Sequence, residues 1–230
     1  MLATVALTAP AVGAPRTRFA IPARADQLIV VSSPTADPPA PGYLATLRAY
    51  QRADRRSPWR PVSAAWPAET GYGHLRVVRH EGDGSTPIGV FAIGPTMYGT
   101  RRKPAGLHYR YHRLVCGDWW DEDPFSSQYN RFVHEPCGVT PAFAPGSEAL
   151  WTVTNAYAYL AVIQFNVNPT VGGTSARGSG IFLHSWVGGP TAGCVALHRA
   201  QLLKILRWLR PSDHPVIEIG PSSQPGPAGR

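Results

Sequence analysis

Several absences narrow what the 230-residue chain can be. Once the first fourteen residues are set aside, no apolar run approaches bilayer-spanning length, so no integral membrane segment is expected. Zinc-finger spacing, a basic region followed by heptads and an RNA-binding aromatic motif are all missing. Nucleic acid is therefore not an expected partner, although Lys and Arg outnumber Asp and Glu 22 to 14 for a net charge of +8. There is no Gly-x-Ser-x-Gly elbow in GTSARGSG (173–180) and no Ser-x-x-Lys anywhere, which removes the usual serine nucleophiles. His108 and His112 are four apart, but no Glu follows the first, so they read as packing or surface histidines rather than a zincin pair. Asp118, Asp121, Glu122 and Asp123 lack the spacing and glycine of a calcium loop and read as a solvated turn ended by Pro124. Neither a metal nor a cofactor is expected. No internal repeat is visible. Lysine is confined to Lys103 and Lys204, from which nothing follows.

What is present points to one mainly β domain. With 43% hydrophobic residues the chain can build a single core, and 24 prolines with 23 glycines favour short strands joined by turns. Strands are expected at Leu28–Val31, at His74–Arg79, and at Pro87–Ile93, where Gly94-Pro95 bounds the run. A hairpin is expected from Leu44–Tyr50 and Trp59–Val62. The segment from Arg101 to Gly146, rich in Trp, Tyr, His and Pro but without periodicity, reads as a long ordered loop or lid. Further strands are expected at Tyr157–Val167, Ile181–Trp186 and Val216–Ile219. One amphipathic helix is expected where Leu202, Ile205, Leu206 and Leu209 share a face, with Arg207 and Arg210 at its end and Pro211 as its stop.

The boundaries follow. Residues 1–25 form a signal remnant or disordered segment, 26–220 the domain and 221–230 a disordered tail. MLATVALTAPAVGA ends like a signal-peptidase site before Pro15 but lacks a basic start, so signal remnant and tail both stay open, with export the natural reading. An exported chain with three cysteines leaves one unpaired or joins it to another chain. Cys116 and Cys137 are plausible partners, closing a loop of about 22 residues worth roughly 3 kcal/mol by loss of chain entropy. Cys194 is then the odd thiol; in a cytosolic chain, three buried reduced cysteines are the alternative.

His184 ends the strand IFLHS, and Cys194 follows ten residues later in a glycine-containing turn before the helix. A free thiol is only a few per cent ionised at neutral pH, and a nearby imidazole that takes its proton is the usual activator. Gly193 allows a substrate carbonyl to approach the backbone, where the amides of Gly193 and Cys194 offer an oxyanion hole.

SGIFLHSW followed by PTAGCVAL resembles the active-site signature of the L,D-transpeptidase (YkuD-type) catalytic domain. EGDGSTPIGVF (81–91) is similar to that family's glycine-rich segment, and DWWDEDPFSSQYN (118–130) to the Asp-Asp-Pro-x-Ser-x-x-Tyr-Asn segment of one branch. The resemblance spans about residues 70–220. It implies a β-sandwich or barrel catalytic domain with Cys194 as nucleophile, His184 as general base and the Ser185 carbonyl orienting the imidazole. Thr191, Ala192 and Trp186 are then expected at the substrate. Ala192 and Ala196 depart from the family, where His and Arg or Asn are common, and His198 or Arg199 are candidates to substitute. The implied activity is acyl transfer on peptidoglycan stem peptides by an exported, monomeric enzyme of the cell envelope that makes 3-3 cross-links. An L,D-carboxypeptidase with the same site, a sortase-like thiol enzyme and a non-catalytic wall-binding domain are the alternatives, though PTAGC does not fit the sortase pattern.

Overall fold

The computed structural model describes residues 19–33 and 43–222. The expected signal remnant up to residue 18, residues 34–42 and the tail from residue 223 lie outside the described residues. The strands are β1 (Gln27–Ser33), β2 (Leu44–Gln51), β3 (Arg60–Pro61), β4 (Trp66–Glu69), β5 (Leu75–Arg76), β6 (Thr86–Pro87), β7 (Gly89–Gly99) and β8 (Arg110–Arg113). They continue with β9 (Asp118–Asp121), β10 (Arg131–His134), β11 (Glu148–Ala149), β12 (Leu160–Ile163), β13 (Phe182–Ser185) and β14 (Val195–Leu197), then helix α1 (Arg199–Trp208) and β15 (Val216–Pro221).

The main sheet runs β1-β15-β7-β12-β13-β14-β4-β2, and β2 pairs back onto β1, so the sheet closes into a barrel. Closure removes the open edges that such short strands would otherwise expose. The expected hairpin is there, with Tyr50 opposite Pro61 and Gln51 opposite Arg60. Alternation along the strands separates two cores. Ala161, Ile163, Leu183, Val195 and Leu197 point into the barrel with Ile29, Leu47 and Met97. Leu160, Val162, Phe182 and Cys194 point outward. Helix α1 closes the interior with Leu202, Ile205 and Leu206. Leu209, extended at the helix end, adds a fourth apolar side chain two residues before Pro211.

Three expectations need correction. Gly94-Pro95 does not end β7, which runs on to Gly99. It sits where β7 exchanges one partner for another, pairing with β15 up to Ala92 and with β8 from Thr96. The register against β12 also slips there. A proline without an N–H fits such a bulge, where no ladder bond is required of it. His74–Arg79 contributes only the two-residue β5.

Arg101–Gly146 is the long, disulfide-tied ordered segment expected, with short strands inside it. It holds β8 and, with β11, a small sheet ordered β10-β9-β11, and Cys116 is joined to Cys137 beside it. Asp118 and Asp121 are fully buried in β9, not solvated. Asp118 accepts from His112 Nε2 at 2.8 Å, His134 Nδ1 at 2.7 Å and the Val115 amide at 2.7 Å, which offsets the desolvation of its charge. Trp120 of this sheet packs edge-on against Phe182 with ring centres 5.0 Å apart, so the segment roofs the outer face of β13.

Candidate active site

Strands β13 and β14 are parallel neighbours with Leu183 opposite Val195 and His184 opposite Ala196. Opposed residues point to the same face and residues two apart share it, so His184 and Ala196 face outward together with Cys194. The connection between the strands is short and glycine-rich, and it is pinned from outside. Thr191 N–H donates to Thr70 O at 3.0 Å and Tyr72 N–H to Thr191 O at 2.9 Å. Within the turn, Thr191 Oγ1 donates to Cys194 O at 2.7 Å and accepts the Gly193 amide at 3.1 Å.

That last bond changes the role expected of Gly193, because its N–H is already engaged. Glycine is required there for another reason. Its φ is 133°, and a β-carbon would lie 2.8 Å from Ser85 O and 3.1 Å from Arg79 Nη2. Of the two amides expected to form an oxyanion hole, that of Cys194 carries no such side-chain commitment.

The protonation states follow from hydrogen bonding and burial. His184 Nδ1 is 2.9 Å from the Ser185 carbonyl, which can only accept. The proton therefore resides on Nδ1, and the neutral ring presents Nε2 as a lone pair. Burial lowers the His184 pKa to about 4, so this neutral form is the resting one. Cys194 Sγ donates to Gly180 O at 3.2 Å and accepts the Phe182 amide at 3.3 Å. Burial, then the charge of Glu148, pushes the thiol well above its ordinary pKa, and the Phe182 amide and Arg79 act in the opposite sense. Thiol and imidazole are both neutral before substrate arrives, so proton transfer must accompany attack.

A cleft of about 260 Å³ opens over this face, lined by Cys194, His184, Trp186, Thr191, Ala192 and Ala196. Cys194 is 7% exposed. His198 lies behind Trp186, edge to face with ring centres 4.7 Å apart. Arg199 begins α1 as an exposed residue and is not among the cleft residues, so the structure does not bring it to the site. Several lining residues escaped sequence reasoning: Tyr72, Arg79, Glu81, Glu122, Glu148 and Tyr157. Tyr157 O–H donates to both Glu148 oxygens, at 2.8 and 2.7 Å, while its ring stands 5.5 Å from that of His184. Glu122, far from a solvated turn, is pushed up to about 9 by burial and by Glu148. The cleft is rich in carboxylates although the protein is basic overall.

Against known proteins, the family model described as the YkuD L,D-transpeptidase catalytic domain matches residues 45–218, most of the chain. The chain belongs to this family. Searches of curated proteins and of solved structures returned no match. The matched range runs from β2 into β15 and takes in the whole cleft, while β1, which closes the barrel, lies before it. YkuD domains act on peptidoglycan, which implies a place in the cell envelope. No helix among the described residues is long and apolar enough to cross a membrane.

Proposed function

We propose that the protein is an exported L,D-transpeptidase that forms 3-3 cross-links between peptidoglycan stems through a thioester on Cys194. The observation that carries this reading is the strand pair. It sets a thiol and an imidazole on one face of one cleft, with the imidazole tautomer chosen by the Ser185 carbonyl. Cys194 Sγ attacks the carbonyl joining a diamino acid at position three to D-Ala at position four, and its proton passes to His184 Nε2. The Cys194 amide donates to the oxygen of the tetrahedral intermediate. On collapse the C–N bond breaks, and the imidazolium returns its proton to the departing amine of D-Ala. The amine of a second stem then attacks the thioester, losing a proton to Nε2, and the thiolate leaves and is reprotonated. The backbone carbonyl of Ser185 serves as the third member, so no carboxylate is needed behind His184.

A disulfide at Cys116–Cys137 and a single free thiol agree with an oxidising compartment. The net charge of +8 suits a wall carrying carboxylates and phosphate polymers. Incubation of purified protein with disaccharide-tetrapeptide tests the reading. Dimer with release of D-Ala is the expected product, tripeptide alone makes the protein an L,D-carboxypeptidase, and unchanged tetrapeptide rejects the enzyme.

A further inference from the structure

Arg79 takes no part in the steps above, yet it is buried against the nucleophile's turn. It is 4% exposed, and a guanidinium so placed requires facing acceptors or counter-charges. Nε donates to Ser85 Oγ at 3.0 Å, and the group lies over the Phe165 ring at 5.1 Å. Its contact with Asp83 is long, Nη2 to Oδ1 3.5 Å. Asp83 is occupied elsewhere, accepting from the amides of His80 and Ser85 and from the Ser85 hydroxyl. Nη1 is buried with no acceptor. The positive charge is thus incompletely met on the Nη side, and that side meets two glycines. A β-carbon on Gly178 would stand 2.6 Å from Nη1, and one on Gly193 would stand 3.1 Å from Nη2. Gly193 is bonded to Cys194, and Arg79 and Cys194 line one cleft.

We propose that Arg79 is a positioning residue for Cys194, supporting the Gly193–Cys194 turn from behind and favouring negative charge on the sulfur as its proton moves to His184. The proposal rests on the acyl-transfer reading for its purpose, but not for its test. The proton passes from Sγ to Nε2, and Arg79 exchanges none. The ionisable groups that act on the thiol are Glu148 and Glu122, whose ionised forms oppose the thiolate, and Arg79, which favours it. Around Arg79 itself stand Asp83, Glu81, Tyr129 and Cys194.

The test is the rate of Cys194 alkylation by iodoacetamide against pH, read by mass spectrometry on the non-reduced protein. Cys194 is the free cysteine, and no peptidoglycan is needed. Arg79→Met is expected to lower the rate about tenfold at pH 8 and to move the profile up by about one pH unit, the scale of one nearby opposite charge. Arg79→Lys keeps the charge and should recover most of the rate. Asp83→Asn removes the competing counter-charge and should move the profile down. Circular dichroism and melting show whether each variant is folded; if Arg79→Met is not, the Lys and Asn variants decide. Lower melting temperatures with unmoved pH profiles, or an upward shift in Asp83→Asn, overturn the proposal. Shifts as expected in a protein that releases no D-Ala would instead sink the acyl-transfer reading and leave Arg79's effect on the thiol standing.

Discussion

The two faces of β13, β14 and the residue before β14 are made from alternate side chains, yet their physics differs. Leu183, Val195 and Leu197 point into the barrel, are fully buried and carry nothing that titrates. Phe182, His184, Cys194 and Ala196 point outward beneath a roof of Trp120 and Tyr157, where ionisable groups are held in their neutral forms. One face gains stability by excluding water from apolar surface. On the other, desolvation fixes which proton sits where. The barrel holds the strand register, and the register puts His184 and Cys194 on one face. Damage to the inner face should therefore act through folding, and damage to the outer face through chemistry.

The comparison can be broken at its strongest point by Cys194→Ala, which removes the nucleophile but hardly changes volume. D-Ala release from tetrapeptide stems should fall by about 10⁴-fold or more with the melting temperature nearly unchanged, and His184→Ala should be almost as severe. Activity in either variant would mean that the outer face is not the reactive one. On the inner face, Leu197→Ala should cost about 2–5 kcal/mol in denaturant unfolding while the fraction still folded keeps its normal turnover. A third test uses pH. An unfolded His184 titrates near 6.5 and the folded one at about 4, so between these values the unfolded chain binds more protons. The contribution of this group is fully present above pH 6.5 and is lost as pH falls toward 4, up to about 3 kcal/mol. His184→Gln should remove this slope, and the acid limb of kcat/KM should fall near pH 4 rather than 6.5. The smallest effect is expected at Arg199, exposed at the start of α1. Arg199→Ala should change stability by less than about 0.5 kcal/mol and turnover by less than about twofold. A large loss there would restore it as a substrate contact.

The same division explains what could be read from the chain. Local patterns carried β1, the β2–β3 hairpin, α1 and β15, because apolar periodicity and turn residues report on neighbours close in sequence. The motif around His184 and Cys194 was legible since both lie within one short strand-turn-strand. The strands within Arg101–Gly146 were not, because β9 and β10 are only four residues long and show no sustained alternation. Asp118 looks like a turn residue until His112 and His134 are seen to close on it. Arg79 and Glu148 reach the cleft from segments about 115 and 46 residues before Cys194, and nothing in their local sequence marks them. Gly193 was noticed for its freedom, but its crowding against Ser85 and Arg79 is a tertiary fact.

The most direct measurement is the intact mass of the protein after brief incubation with tetrapeptide stem and acid quenching, followed by peptide mapping. The account predicts a covalent acyl group equal in mass to the tripeptide donor, attached to the peptide that contains Cys194 and absent from Cys194→Ala. Release of D-Ala with no adduct on that peptide, or an adduct on any other residue, would contradict it.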